Sequence, residues 1–112
     1  DSGVFSVEGN YIVNFVYYYL ILGQYQQAIG FYEQQRVIAE EIGDRADEGN
    51  ALGSLGNAYL SLGQHHRAIR FYEQQQVITQ EIGDKDGEGN VLGYLGNAYF
   101  SLRQYQEAIE LY

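Results

Sequence analysis

The stretch Tyr11–Leu22 reads YIVNFVYYYLIL: twelve residues, five of them aromatic, at the head of an otherwise polar and acidic chain. Three readings compete, namely a membrane segment, a β-strand, and a divergent copy of a unit that the chain spells again later. Twelve residues with Asn14 among them fall short of the roughly 20 needed to cross a bilayer. Residues 1–8, DSGVFSVE, hold no Lys or Arg, so the basic flank of a secretory signal is missing. A Tyr-rich aggregating strand has no reason to keep register with anything downstream. This stretch does keep register.

Gly49 onward reads GNALGSLGNAYLSLGQHHRAIRFY, and Gly89 onward reads GNVLGYLGNAYFSLRQYQEAIELY. The offset is 40 residues without a gap, and 15 of the 24 aligned positions are identical. Forty residues back from Gly49, Gly9 begins GNYIVNFVYYYLILGQYQQAIGFYEQQRVIAEEIGD, whose second half repeats LGQ, AI, FYEQQ, VI and EIGD in place. Tyr11–Leu22 therefore fills the first-helix position of a first, divergent repeat. A fixed period of this length marks stacked supersecondary units. Residues 1–8 match the loop they should copy only at Gly3 and Glu8 and read as an extension or linker, followed by repeats at 9–48, 49–88 and a shorter one at 89–112. With no initiator Met and a last residue inside the pattern, the chain is expected to be part of something longer.

Within each unit apolar residues recur at three- and four-residue steps, as in Leu52, Leu55, Tyr59, Leu62 and then Ala68, Ile69, Tyr72, Ile78, which predicts two helices. Gly63 and Gly83 stand where a left-handed helix end is wanted. Asp44 and Asp84 follow such turns as N-caps, with Asp47, Glu48 and Glu88 placed favourably for the helix dipole. The expected spans are 9–22, 24–42, 45–62, 64–82, 85–102 and a sixth from about 104, with short joints forcing antiparallel pairs. Gly56 and Ala68, and likewise Gly96 and Ala108, are expected to face each other, with Tyr59 and Tyr99 filling the space beside them. The first copy carries Val16 in the Gly56 place and Tyr18 in the Ala58 place. Added volume in such a contact costs about 1–3 kcal/mol, so the first helix is expected to be displaced or to pack differently, even against another chain.

The units LGSLGNAYLSLGQHHRAIRFY and LGYLGNAYFSLRQYQEAIELY resemble tetratricopeptide repeats, in particular the forty-residue variety of kinesin light chains, Pins-type adaptors and bacterial arrays. Gly-Asp replaces the proline that usually closes the shorter repeat. The resemblance implies an all-α solenoid of antiparallel helix pairs, about two and a half repeats long. It also implies a concave groove lined by first helices, where a partner peptide or protein binds. Carried over by position, the groove residues are Asn50, Gly53, Asn57, Leu60 and Ser61, then Asn90, Gly93, Asn97, Phe100 and Ser101. Apolar affinity would come from Leu60, Phe100 and the first-copy residues Val13, Tyr17 and Leu20. Asn57 and Asn97 suit a peptide backbone because a carboxamide donates and accepts together; the alternative is that they bond to a neighbouring helix. Asn10, Asn50 and Asn90 also suit helix starts. Gln35 and Gln75 stand where the family prefers a small apolar residue, which bears on repeat stacking. Lys and Arg are missing around the groove asparagines, so a clamp for a terminal carboxylate is not expected.

Six Lys and Arg against fifteen Asp and Glu give a formal net charge of −9. That argues against nucleic acid, whose binders bring cations to phosphate, and favours basic protein partners through faster encounter. No cysteine is present, so disulfide and thiolate chemistry are excluded. His65 and His66 are adjacent and point about 100° apart on a helix, unlike an i, i+4 metal pair. Asp84–Gly89, DKDGEG, mimics the start of a calcium loop, but its closing carboxylate would fall at Leu95. Turn and cap explain it. No nucleophile signature or phosphate-cradling loop appears. The sequence thus predicts a cytoplasmic, non-enzymatic interaction scaffold without metal, cofactor, nucleic acid or membrane. The alternative is a spacer whose copies associate through the apolar terminal helices.

Overall fold

A computed structural model describes the backbone of residues 2–111 and the side chains of 16–110. Four helices follow one another: α1 (Ser2–Ile42), α2 (Arg45–Ser61), α3 (His65–Ile82) and α4 (Lys85–Leu111). Each packs on its neighbour in the chain, which makes an all-α solenoid. Among the described residues no helix is long and apolar enough to cross a membrane.

The three joints are built alike. Gly43, Gly63 and Gly83 take φ of 76°, 78° and 69°, a left-handed backbone that a Cβ disfavours. Behind two of them Asp44 accepts from the Asp47 N–H at 3.0 Å, and Asp84 accepts from the Gly87 N–H at 2.9 Å. Such caps contribute about 0.5–2 kcal/mol each. Arg45 reaches from the start of α2 to Glu48 beside it and to Glu81 near the end of α3, fastening the open end of the hairpin.

The α2–α3 hairpin closes through glycine. Gly49, Gly53 and Gly56 lie on one face of α2, and α3 settles Ile78, Gln75 and Tyr72 against them. A Cβ at Gly56 would come within 2.4 Å of the Tyr72 ring, so only hydrogen fits there. Tyr72, rather than the expected Ala68, therefore faces Gly56. Ala68, Ile69 and Tyr72 then form a core with Val91 and Ala98 of α4, and the rings of Tyr72 and Tyr94 lie 5.3 Å apart. Tyr59 stacks on Phe71 at 5.4 Å, with the Arg67 guanidinium over its ring.

Two expected hairpins do not form. Spans 9–22 and 24–42 are one continuous helix, α1, which also takes in residues 2–8. Spans 85–102 and 104 onward are likewise one helix, α4. At 41 residues α1 is about 60 Å long, in keeping with a 64 Å long molecule. The two failures have different causes. In the first repeat the turn glycine is present as Gly23, but Val16 occupies the Gly56 place against Tyr32 in the Tyr72 place. A hairpin closed as in the second repeat would drive that side chain into the ring, and here the hairpin is open. The first helix is displaced, as its bulk predicts. In the third repeat the Gly56 place is still glycine (Gly96), but Arg103 replaces the turn glycine Gly63. Arginine is a good helix former, and α4 runs straight through it. Gly96 has nothing within 4 Å, and Ala108 lies exposed instead of opposite it.

The two glycines should consequently respond in opposite directions. Gly56→Ala is expected to destabilise the fold by about 1–3 kcal/mol by overpacking Tyr72. Gly96→Ala is expected to stabilise it by up to about 1 kcal/mol through helix propensity alone. Urea unfolding of both variants in dilute solution checks the sign of each.

Candidate partner-binding groove

The face of α2 that follows its N-cap turns Asn50, Gly53 and Asn57 toward a cleft of about 420 Å³ between α2 and α4. Asn90 and Tyr94 line the α4 side, and Gln75 and Thr79 of α3 form the floor. The joint contributes Asp84 and Asp86, and no Lys or Arg lines the cleft. Its chemistry is carboxamide and carboxylate with an apolar margin at Ile78 and Ile82.

Of the residues expected in the groove, the structure brings Asn50, Gly53, Asn57 and Asn90 together. Asn97 is exposed beyond the cleft, and Phe100 is exposed on α4. Leu60 packs against the core shared by α3 and α4. Tyr17 and Leu20 are exposed on α1, away from this cleft. The side chains of Val13 and Asn10 lie outside the described residues. Asn57 has a second attachment: its Oδ1 accepts a hydrogen bond from the Tyr72 hydroxyl at 2.5 Å. The bond to a neighbouring helix is thus formed, and the Asn57 amide N–H groups are left for a ligand.

Gln75 is the residue that sequence reasoning missed. Its carboxamide lies flat on Gly53, where a Cβ would come within 2.6 Å of Nε2. The side chain is buried, and Oε1 has no hydrogen-bond partner. Leaving such an acceptor unpaired costs about 1–3 kcal/mol. The clue was the spacing of Gly53 against Gln75, three residues along from Gly56 against Tyr72. Its equivalent Gln35 is satisfied differently, donating to Asp47 of α2 at 2.8 Å.

His65 lies against Tyr105, with ring centroids 5.8 Å apart, and among the described residues no group of three or more His, Asp or Glu is placed to hold a metal. Burial, with a smaller push from Tyr94, raises the Tyr72 phenol from about 10 to about 12. The folded chain therefore keeps this proton to higher pH than the unfolded chain. The stabilisation is fully present below the unfolded value near 10 and is lost as pH rises toward about 12. Tyr72→Phe should cost about 0.5–1.5 kcal/mol at neutral pH by deleting the bond to Asn57. It should also flatten the fall in stability at alkaline pH. Urea midpoints of both proteins across that range check this.

The comparisons with known proteins point to one architecture. A designed protein solved by solution NMR, DA05, superposes with a TM-score of 0.69 at 23% identity, covering 73% of this chain and 82% of that one. At that identity the likeness speaks for the fold. No curated protein matches. The sequence profile of the tetratricopeptide repeat matches residues 11–74, and another profile of the same repeat matches residues 91–112. The repeated helices, the glycine-faced hairpin and these matches together place the chain in the tetratricopeptide repeat family, whose members generally mediate protein–protein interaction and serve as non-enzymatic scaffolds.

Proposed function

We propose that this chain is a cytoplasmic, non-enzymatic interaction module that holds an extended peptide segment, preferably a basic one, in the cleft between α2 and α4. The observation that carries this reading is the cleft itself, where the exposed carboxamides of Asn50 and Asn90 converge with Asn57 and no Lys or Arg is among the lining residues. The asparagines bond to peptide carbonyls and amides alternately, because each can do both. Asp86 at the rim, with the net charge of −9, draws Lys or Arg toward the cleft. Each neutral bond contributes only about 0.5–1.5 kcal/mol, so binding is weak and is strengthened by neighbouring apolar contacts. In this reading Asn57 acts through its free N–H groups. Asn97, Phe100, Tyr17 and Leu20 act outside the cleft.

A library of displayed linear peptides selected on the chain tests this. The recovered peptides should be enriched in Lys and Arg and should bind Asn50→Ala/Asn90→Ala more weakly, by roughly fivefold or more in fluorescence anisotropy. Recovery of nothing above background, or undiminished binding by the double variant, contradicts the reading.

A second reading, self-association of copies, is favoured by a separate observation. Val16–Leu20 on α1, and Leu92, Tyr99, Phe100, Tyr105 and Ile109 on α4, are all more than half exposed. Apolar stretches of this extent on the outer helices of a solenoid want a neighbouring repeat.

A further inference from the structure

Resting on that second reading, we infer that copies of this chain join head to tail, the α1 of one copy docking on the α4 of the next in the register that α3 keeps on α2. The register is written inside the chain. Gly49, Gly53 and Gly56 of α2 receive Ile78, Gln75 and Tyr72 of α3. Forty residues on, α4 repeats the glycine comb as Gly89, Gly93 and Gly96, and none of them has a neighbour within 4 Å. Forty residues back, α1 repeats the teeth as Tyr32, Gln35 and Ile38.

Both faces are uncovered relative to their counterparts in the closed hairpin. Leu92 is 60% exposed where Leu52 is 3%, and Ile38 is 56% exposed where Ile78 is 3%. The chain thus carries an unfilled socket on α4 and, on α1, a row of teeth of which Ile38 is open and Tyr32 and Gln35 are half-buried beside α2. They cannot meet within one molecule, because α1 packs on α2 alone. A second copy supplies what each lacks.

The pairing sets Gly96 against Tyr32, Gly93 against Gln35 and Gly89 against Ile38, antiparallel. It gives Asn97 a role, accepting from the Tyr32 hydroxyl as Asn57 accepts from Tyr72. Gln35 keeps its bond to Asp47 and lies against Gly93. Because neither helix turns back, the pair continues past the point where α2 and α3 part, and Ile109 comes level with Tyr18 and Tyr19. Freed from a short joint, this outer part of α1 is not forced into the register that sets Val16 against Tyr32 of its own chain. A pair as long as the 27-residue α4 runs about 40 Å and buries on the order of 1,000 Å² over both copies, near the lower limit for a specific interface. The two surfaces differ, so the contact is heterologous and adds copies without closing on itself unless the rotation makes a ring. The joined copies extend one solenoid at its own period.

Two substitutions block one surface each. Gly96→Leu fills the socket where nothing in its own chain lies within 4 Å, and Ile38→Glu charges an exposed tooth. By sedimentation velocity over a dilution series, the unaltered chain should associate beyond a dimer. Each variant alone should associate at least about tenfold more weakly. An equimolar mixture of the two should form a heterodimer through the one intact pair of surfaces and stop there. A strictly monomeric unaltered chain overturns self-association itself. Association of Gly96→Leu equal to the unaltered chain, or a mixture that stays monomeric, overturns the head-to-tail pairing while leaving self-association standing by another contact. The peptide cleft between α2 and α4 contains neither substituted residue.

Discussion

The ring of Tyr72 seated on Gly56 is the contact on which this fold turns. It brings the α2 and α3 backbones close enough for Gln75 to lie on Gly53 and Ile78 on Gly49. It buries a tyrosine completely, ties its hydroxyl to Asn57, and offers the far side of the same ring to Tyr94 of α4. One side chain therefore holds a hairpin shut and joins it to the next helix. Closing such a hairpin needs two permissions at once: a residue at the turn that accepts a left-handed backbone, and a residue without a side chain under the tyrosine. The second repeat holds both, in Gly63 and Gly56. The first has lost one to Val16 and the third has lost the other to Arg103, and in both the helix runs on.

This conjunction separates what was legible in the sequence from what was not. The caps at Asp44 and Asp84 and the left-handed glycines at 43, 63 and 83 are local chemistry, and short-range pattern is enough to find them. The bulk of Val16 was legible as a disturbance of the first repeat. That it abolishes the hairpin depends on how near Tyr32 would come, a distance only packing reveals. Arg103 stood in plain view where Gly63 has its turn. A forty-residue period nevertheless suggests identical units, and the effect of one substitution at a joint is easily overridden by that regularity. Of the residues that the family resemblance assigns to a groove, Asn50, Asn57 and Asn90 do line one cleft, whereas Gln75 looked like an awkward polar residue in a stacking position. Its meaning depends on Gly53 across the hairpin. Leu60 read as groove-lining because it lies near that face, and it packs against the core shared by α3 and α4.

Binding and assembly draw on the same economy of side chains. Where α3 covers the glycine comb, the carboxamides at its edge converge on a polar, anionic cleft. Where nothing covers the comb, on α4, an unfilled face is left whose shape the chain matches elsewhere in itself. The acidic surface keeps such a molecule soluble, and the apolar helices give it a direction in which to extend. The proposed cleft and the proposed assembly face are different surfaces, so a change in one need not disturb the other.

The most direct measurement is a distance along α1. The chain holds no cysteine, so Tyr17→Cys and Phe31→Cys, both at exposed positions, introduce the only two sites for spin labels. Double electron–electron resonance, on labelled chain diluted into unlabelled chain, then reads one intramolecular separation. A continuous helix places the two backbones about 21 Å apart. A hairpin folded at Gly23 in the register of α2 and α3 brings them to about 10 Å. A narrow distribution near the longer distance is the predicted result, and one centred near the shorter would show that Val16 does not hold the first repeat open.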